Sequence, residues 1–390
     1  MIDLKILEEL SNAFGPSGFE EDVVRVIKKY CSGMAFRNDA MHNVYTELKP
    51  TALTAGTGDN NEIHEKPSFS SDRRPVLMLD AHLDECGFMI QSIMENGLMS
   101  IVTLGGFHLT SLPAHSVIVR TAEGKMHRGI TTSKPVHFLT PEQKADNSLR
   151  IEDILSLRIE DILIDVGACS REEVLAVYGI RPGDPVVPDV AYEYHEENGI
   201  CFGKAFDNRL GCFCIIETMK ALMEEEDRLA ARVVGAFAAQ EEVGTRGAVV
   251  TAQQVRPDLA IVFEGSPADD PYFQAGIAQG VMRGGVQIRH LDNSYVSNPA
   301  FIRYAHEVGE KLGIPCQDAV RRGGSTNAGK ISLTGQAVPV LVLGIPSRYV
   351  HSHYNFCAKS DIEAAVSMAV EVIRGLNVEN MKRIFRQDVI

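Results

Sequence analysis

Residues 232–263 read RVVGAFAAQEEVGTRGAVVTAQQVRPDLAIVF, and this stretch decides the fold class. The apolar run at 232–239 predicts a buried strand, 247–254 a short helix and 259–263 a second buried strand. A strand, a crossover helix and another strand form the unit from which parallel sheets are built. The stretch therefore predicts an α/β fold, with the acidic pair Glu241-Glu242 placed just after the first strand.

The same alternation continues on both sides of this unit. Further strands are predicted at 76–81 and 338–343, and helices at 2–14, 208–224, 299–312, 325–333 and 361–376. Ser17 and Glu20 form a capping-box pattern that predicts the start of another helix. Strands that alternate with helices indicate a largely parallel or mixed sheet covered on both faces.

Residues 88–190 differ from the rest of the chain. Short β-rich runs at 99–104, 116–121 and 162–166 alternate with Gly and Pro turns, which predicts a small barrel or sandwich. We therefore expect a three-layer α/β domain from 1–87 and 191–390, with a mixed sheet between helices. A smaller β-barrel-like domain over 88–190 interrupts it. The polar stretch 51–74 and the repeat of 148–155 at 156–163 have no assigned role.

The bulk composition excludes several classes of function. The formal net charge is -14, with 38 Lys and Arg against 52 Asp and Glu, so we expect no nucleic-acid partner. No apolar run reaches membrane-spanning length, and we expect no membrane association. The N-terminus does not resemble a signal peptide, and the eight cysteines form no CxxC pair. Both features favour a cytoplasmic location.

Metal-ligand side chains recur at predicted strand ends or in the loops that follow. They are His82, Asp207, Glu241, Glu242, Glu264 and His351. In α/β sheets, ligand sites lie beyond the carboxyl ends of strands. Two imidazoles and several carboxylates, with one carboxylate left as a base, can build a two-metal hydrolytic centre.

The carboxylates have alternative interpretations. Asp207 opens a predicted helix, so it is either a bridging ligand or an ordinary N-cap. Glu241 and Glu242 are adjacent and diverge, so one can bind a metal while the other takes a proton from water. The alternative for this pair is a solvated turn.

The histidines occur in two similar patterns. His82 is followed two residues later by Asp84, which can hold the second imidazole nitrogen from behind. His351 and His353 have the same spacing, and one of these two is expected to be a ligand.

Several sequence blocks, in order along nearly the whole chain, resemble the glutamyl aminopeptidase and tetrahedral aminopeptidase family of dinuclear metallopeptidases. The blocks are GPSGFE (15–20), DAHLDECGF (80–88), PVH (135–137), DVGA (165–168), GIRPGD (179–184), FDNR (206–209), QEEVG (240–244) and RYVHS (348–352).

The resemblance implies a role for each candidate residue. His82 and Glu264 would bind one metal, Glu242 and His351 the other, and Asp207 would bridge them. Glu241 would be the general base that activates the bridging water, with Asp84 supporting His82. The family also implies a peptide substrate, two divalent ions per subunit (zinc, with cobalt or manganese as alternatives) and homo-oligomers from dimers to dodecamers.

Two residues depart from the family pattern. Glu264 stands where the family usually has Asp, and Asp269 and Asp270 are fallback ligands. Asn327 stands in a loop that more often carries Asp, which we expect to alter the preference for the N-terminal residue.

Three other functions stay open at this point. A deacylase or deblocking enzyme would share the metal site and differ in its pocket. A glycoside hydrolase would need two carboxylates in an aromatic-lined cleft, and the chain has no Trp. A non-catalytic peptide-binding relative would have lost its metal site through Glu264, although Glu241 is intact.

Overall fold

The computed structural model describes residues 2–48, 74–133, 136–138, 158–274 and 276–386. The stretch 51–74, apart from Arg74, and the first copy of the repeat lie outside the described residues. Among the described residues, none of the helices is both long and apolar enough to cross a bilayer.

Seven helices of at least seven residues occur in the described part. They are α1 (Leu4–Asn12), α2 (Glu21–Tyr30), α3 (Phe206–Leu222), α4 (Arg246–Val255), α5 (Pro299–Leu312), α6 (Lys359–Arg374) and α7 (Val378–Ile384). Seventeen strands are described. They are β1 (Ala35–Asn38), β2 (Val44–Glu47), β3 (Val76–His82), β4 (Gly87–Ile93), β5 (Met99–Leu104), β6 (Ser116–Arg120), β7 (Met126–Thr131), β8 (Leu163–Asp165), β9 (Pro185–Pro188), β10 (Glu193–His195), β11 (Ile200–Gly203), β12 (Arg232–Ala238), β13 (Leu259–Pro267), β14 (Val286–Leu291), β15 (Cys316–Val320), β16 (Val340–Arg348) and β17 (Asn355–Ala358).

A mixed sheet forms the centre of the larger part, in the order β1-β2-β12-β3-β13-β16-β17-β11-β10. β12, β3, β13 and β16 are parallel to one another, and antiparallel strands flank them. β14 pairs antiparallel with β16, and β15 pairs parallel with β14. The expected mixed sheet is thus confirmed, with the 232–263 unit at its centre.

The central strands are buried on both faces, which is why their sequences are continuously apolar. In β3, Leu77 and Leu79 pack into the core that includes α1, α3, α5 and α6, while Val76 and Met78 pack into a second core with α4. Successive side chains of a strand point to opposite faces, so one apolar run serves both cores. The result is the predicted three-layer arrangement.

A separate closed barrel has the strand order β4-β5-β8-β7-β6-β9. Its interior is filled by apolar side chains such as Phe88, Ile101 and Val119. The predicted small β-barrel is confirmed. Its strands come from residues 87–188, while the proposed division into 1–87 with 191–390 and 88–190 stays a prediction.

Three local expectations were wrong. Glu264 lies inside β13, because this strand continues to Pro267 instead of ending at 263. The helix expected at 325–333 covers only Ala328–Ile331. Ser17 does not cap α2: its hydroxyl donates to Asp84 Oδ2 at 2.6 Å, and Glu20 occupies the N-cap position.

Candidate metal centre

The site lies at the carboxyl ends of the central parallel strands. His82 is the last residue of β3 and is buried, and the register pairs it with Ala238 at the end of β12. Glu241 and Glu242 follow directly, after Gln240 turns the chain with a φ of 54°. Because the neighbouring strands are parallel and in register, their ends deliver these three side chains to one place.

Asp207 lies between the two histidines. His82 Nε2 is 3.0 Å from Asp207 Oδ1, and His351 Nε2 is 3.4 Å from Asp207 Oδ2. Each oxygen of one carboxylate therefore faces a different imidazole. This is the arrangement that a carboxylate bridging two ions requires.

The position of Asp207 depends on a close approach between α3 and β13. Asn208 donates from Nδ2 to the carbonyl of Phe263 at 2.8 Å and accepts from the amide of Gly265 at 3.1 Å. A Cβ at Gly265 would lie 2.4 Å from the carbonyl oxygen of Phe206. Only glycine therefore allows the start of α3 to pack against this strand.

The remaining carboxylates divide between the two histidines. Glu264 Oε1 lies 3.8 Å and Glu241 Oε2 3.9 Å from His82 Nε2, while Glu242 Oε2 lies 3.9 Å from His351 Nδ1. Ligand atoms of His82, Asp207 and Glu264 lie within 4.8 Å of one another, as do those of His82, Glu241 and Glu242.

Asp84 holds the acidic loop as well as the histidine. Its Oδ1 accepts from the amide of Glu241 at 2.9 Å, and its Oδ2 from the amide of Glu242 at 3.1 Å. His82 Nδ1 is 3.1 Å from the Asp84 carbonyl and 3.4 Å from Asp84 Oδ1. Asp84 thus fixes the base and ligand candidates through their backbone, a role that the sequence pattern did not reveal.

The barrel contributes to the site through the loop after β5. His351 Nδ1 lies 2.9 Å from the carbonyl of Gly106, to which it can donate. This hydrogen bond occupies Nδ1 and leaves Nε2 directed at Asp207, where it can donate as an imidazolium or bind a cation as a neutral imidazole. Cys86 Sγ also lies 3.2 Å from His351 Nδ1. Neither Gly106 nor Cys86 was predicted, because each reaches the site through a contact distant in sequence.

Among the described residues, the ion pairs of these carboxylates are to imidazoles, while Arg289 acts on Glu264 from more than ion-pair distance. Burial raises the pKa of Glu241 to about 8 and that of Glu242 to about 7, and it raises the pKa of Glu264 well above its usual value. The hydrogen bond that Asp207 accepts from His351 raises the pKa of His351 to about 10. Burial lowers the pKa of His82, but Glu241 and Asp207 outweigh it and raise the pKa well above normal.

This donor set fits divalent cations. In the described part, the ion pairs of Asp207, Glu241, Glu242 and Glu264 are all to the two histidines. Crowded, buried carboxylates are unfavourable unless protons or cations compensate them. Imidazole and carboxylate ligands suit zinc, cobalt and manganese.

The fallback ligands Asp269 and Asp270, and also His353, make other contacts and do not join the candidate metal centre. Asp269 Oδ1 accepts from the amides of Gln279 at 2.9 Å and Gly280 at 2.8 Å. Asp270 pairs with the guanidinium of Arg348. His353 is buried and stacks on His115 with ring centroids 4.3 Å apart, so of the pair 351 and 353 only His351 faces Asp207.

Asn327 does not lie where the sequence suggested. It is buried, and its Nδ2 donates to Asp80 Oδ2 at 2.8 Å, beneath the site on β3. The expected influence on the preferred N-terminal residue stays a prediction. Burial raises the pKa of Asp80 to about 7, and the amide is the donor that partly offsets its lost hydration.

Comparisons with known proteins assign the chain to a family. The profile of the family described as M42 glutamyl aminopeptidase matches residues 61–368. The putative aminopeptidase FrvX of Escherichia coli is 30% identical over 81% of this chain and 85% of its own length. Glutamyl aminopeptidase of Lactococcus lactis is 30% identical over 80% and 84%, and lysyl aminopeptidase of Pyrococcus furiosus is 27% identical over 96% and 98%.

Solved structures give the same result. A TET aminopeptidase from a marine sediment archaeon of the Thaumarchaeota is similar with a TM-score of 0.85 and 31% identity, over 98% of this chain and 99% of that one. A Pyrococcus horikoshii TET1 peptidase, which can assemble into a tetrahedron or a large octahedral shell, has a TM-score of 0.76 and 25% identity over 96% and 99%.

Proposed function

Because the chain belongs to the M42 glutamyl aminopeptidase family of hydrolytic metallo-aminopeptidases, we propose that it removes N-terminal residues from peptides at a centre of two divalent ions. The observation that carries this proposal is the placement of Asp207, with one oxygen toward His82 and the other toward His351. Bound ions would lower the pKa of a water molecule and polarise the scissile carbonyl.

The residues then divide into two ligand sets. His82 and Glu264 would hold one ion, Glu242 and His351 would hold the other, and Asp207 would contact both. Zinc is the proposed metal, with cobalt or manganese as alternatives, since all accept imidazole and carboxylate ligands. Glu264 extends one methylene further than the Asp usual in the family, and its location within β13 lets the longer side chain reach toward His82.

Glu241 would act as the general base. It would take a proton from the attacking water and then deliver it to the leaving amine, so the proton ends on the released peptide. Burial and neighbouring carboxylates raise its pKa to about 8 in the metal-free protein, and nearby cations would lower that value toward neutrality. Asp84 would orient this base by accepting a hydrogen bond from the backbone amide of Glu241.

The substrate is proposed to be a peptide with a free amino terminus. The relatives named glutamyl and lysyl aminopeptidase differ in the residue they are named for, so family membership does not fix the preferred residue. We propose a homo-oligomer between a dimer and a dodecamer, by analogy with the shells of the P. horikoshii TET1 peptidase. A cytoplasmic location is supported by eight cysteines that are all described and all unpaired.

The test is a chelation and add-back assay. Protein freed of metal is given zinc, cobalt or manganese, and release of single residues from aminoacyl-anilides, short peptides and N-acylated peptides is measured. We expect metal-restored release from free amino termini in the wild type. Glu241→Gln is expected to bind the ions and to lose release.

Other outcomes would contradict the proposal. Release only from N-acylated substrates would indicate a deblocking amidohydrolase with the same site. Folded protein that binds metal and hydrolyses none of these substrates would refute the aminopeptidase activity. The same preparations analysed by light scattering would establish the number of subunits.

A further inference from the structure

A second group of ligand-type side chains lies outside the centre described above. His290 is on β14, His306 on α5 and Asp318 on β15. Their side-chain ligand atoms lie within 4.8 Å of one another, and the group shares no residue with the candidate metal centre. The three positions are separated by 28 and 12 residues, so only the fold brings them together.

Both imidazoles point the same nitrogen at the same oxygen. His290 Nε2 lies 2.7 Å and His306 Nε2 lies 2.8 Å from Asp318 Oδ1. The ladder between β14 and β15 is irregular between Arg289 and Leu291, so His290 is the residue without a regular partner. A bulge re-aims the side chain it carries, and here the side chain faces Asp318.

Without an ion, each imidazole can donate from Nε2 to one of the two lone pairs of Asp318 Oδ1; with their protons on Nδ1 instead, the same atoms become ligands. Two Nε2 lone pairs and a carboxylate oxygen suit a divalent cation of the zinc type. Cys316 Sγ lies 3.8 Å from His306 Nδ1, where it can accept a hydrogen from that nitrogen and leave the Nε2 lone pair free. The three side chains are 37%, 29% and 58% exposed, so an ion can enter from solvent.

The required adjustment is small. Two ligand atoms bound to one tetrahedral zinc at ~2.0–2.1 Å lie about 3.3 Å apart. The present separations of 2.7 and 2.8 Å would have to open by about half an ångström. Asp318 is the most exposed of the three side chains and can supply this by rotation.

We propose that His290, His306 and Asp318 form a separate binding site for one late transition-metal ion of the zinc type, with a fourth position open to water. Among the described strands, β15 is hydrogen-bonded to β14 alone. The ion would join this edge strand to α5 and thereby hold the outer part of the sheet. The proposal does not depend on the catalytic function.

The test is a count of bound zinc by equilibrium dialysis and elemental analysis. If the two catalytic sites fill, the wild type should hold about three zinc ions per chain and the variant H290Q/H306Q about two, with activity retained. Asp318→Asn should weaken the same site without removing a histidine. His42→Gln is the matched control, because His42 also faces a carboxylate, Glu21 at 3.9 Å, but belongs to none of the ligand groups found among the described residues.

A catalytic variant separates this site from the first. His82→Gln should lose the catalytic ion that His82 holds and keep the ion bound by His290, His306 and Asp318. Zinc should raise the melting temperature of His82→Gln by a larger amount than that of the triple variant that also carries H290Q and H306Q. Equal zinc content in wild type and the folded double variant H290Q/H306Q would overturn the proposal.

Discussion

Two buried clusters of charge lie side by side, and the protein treats them differently. In one, Glu85 accepts from Lys204 Nζ at 2.6 and 2.5 Å and lies 3.4 Å from Arg209 NH2. Arg209 is fully buried and also donates to the carbonyls of Leu83 at 2.7 Å and Leu10 at 2.6 Å. In the other, one residue away along the chain, Asp84, Asp207 and their neighbours have imidazoles as their only side-chain cations among the described ion pairs.

The difference separates structural charge from functional charge. The Glu85 cluster, defined as Glu85, Lys204 and Arg209, sets one carboxylate against two cations and links α1, α3 and the segment after β3. The candidate metal centre crowds several carboxylates whose ion pairs, in the described part, are to imidazoles alone. Crowding carboxylates away from water disfavours folding unless protons or cations compensate their charge. This arrangement therefore favours a site that binds a cation.

Removing a cation from the Glu85 cluster should give the largest loss in the free energy of unfolding. Lys204→Met leaves Glu85 buried with only the more distant Arg209, and we expect a loss of about 3–5 kcal/mol in the free energy of unfolding. Urea unfolding followed by circular dichroism measures this. Lys220→Met, which breaks an exposed pair with Glu217 at 2.9 Å, is the control and should cost about 0–1 kcal/mol.

A double variant sharpens this result. Glu85→Gln combined with Lys204→Met removes both charges and should recover part of the lost stability. If Lys204→Met were as stable as the wild type, the cluster would not be the anchor described here.

Altering the support of the metal centre should affect activity more than folding. Asp84→Asn can accept one of the two amides of Glu241 and Glu242 but loses the second carboxylate oxygen, so the acidic loop shifts. We expect about a 10- to 100-fold loss in metal affinity or kcat/KM, typical of residues that orient metal ligands. Asp165→Asn is the control, since Asp165 accepts the amide of Gly167 at 2.7 Å in the barrel. An unchanged pH profile and affinity in Asp84→Asn would contradict the orienting role.

The raised pKa values in the candidate metal centre also predict how the stability of the metal-free protein depends on pH. Burial raises the pKa of Glu241 to about 8 and that of Glu242 to about 7, above the value of 4.5 for an unfolded chain. The folded state therefore binds more protons than the unfolded state in this window, and stability falls as pH rises. The hydrogen bond that Asp207 accepts from His351 raises the pKa of His351 to about 10, which makes stability fall with pH above about pH 6.5 as well.

The measurement is thermal unfolding of chelated protein between about pH 5 and pH 8, with and without zinc. We expect the melting temperature of the metal-free form to fall across this range. The free energy of unfolding should decrease by at most about 1.4 kcal/mol per pH unit for each group. Zinc should flatten the dependence. A metal-free protein that gains stability toward pH 8 would show that the site is already balanced.

The local pattern of the sequence was sufficient for much of the fold. The apolar runs around 232–263 and 76–81 predicted the central parallel strands, and turn-rich β runs predicted the barrel. Ligand types at strand ends predicted the residues that converge, because parallel strands deliver their carboxyl ends to one edge. Asn327 was misplaced, since nothing local indicates that its amide packs beneath the site against Asp80, 247 residues away.

The sequence by itself determined the alternation of strands and helices and the chemical types of the ligands, because hydrophobic periodicity and residue identity are local properties. Only the tertiary structure decided which buried carboxylate meets a cation. Glu85 and Asp84 are adjacent in the chain. Glu85 accepts a hydrogen bond from Lys204, 119 residues away, while Asp84 accepts hydrogen bonds from the backbone amides of Glu241 and Glu242. Desolvation and charge compensation depend on neighbours in space, and those neighbours exist only once the chain has folded.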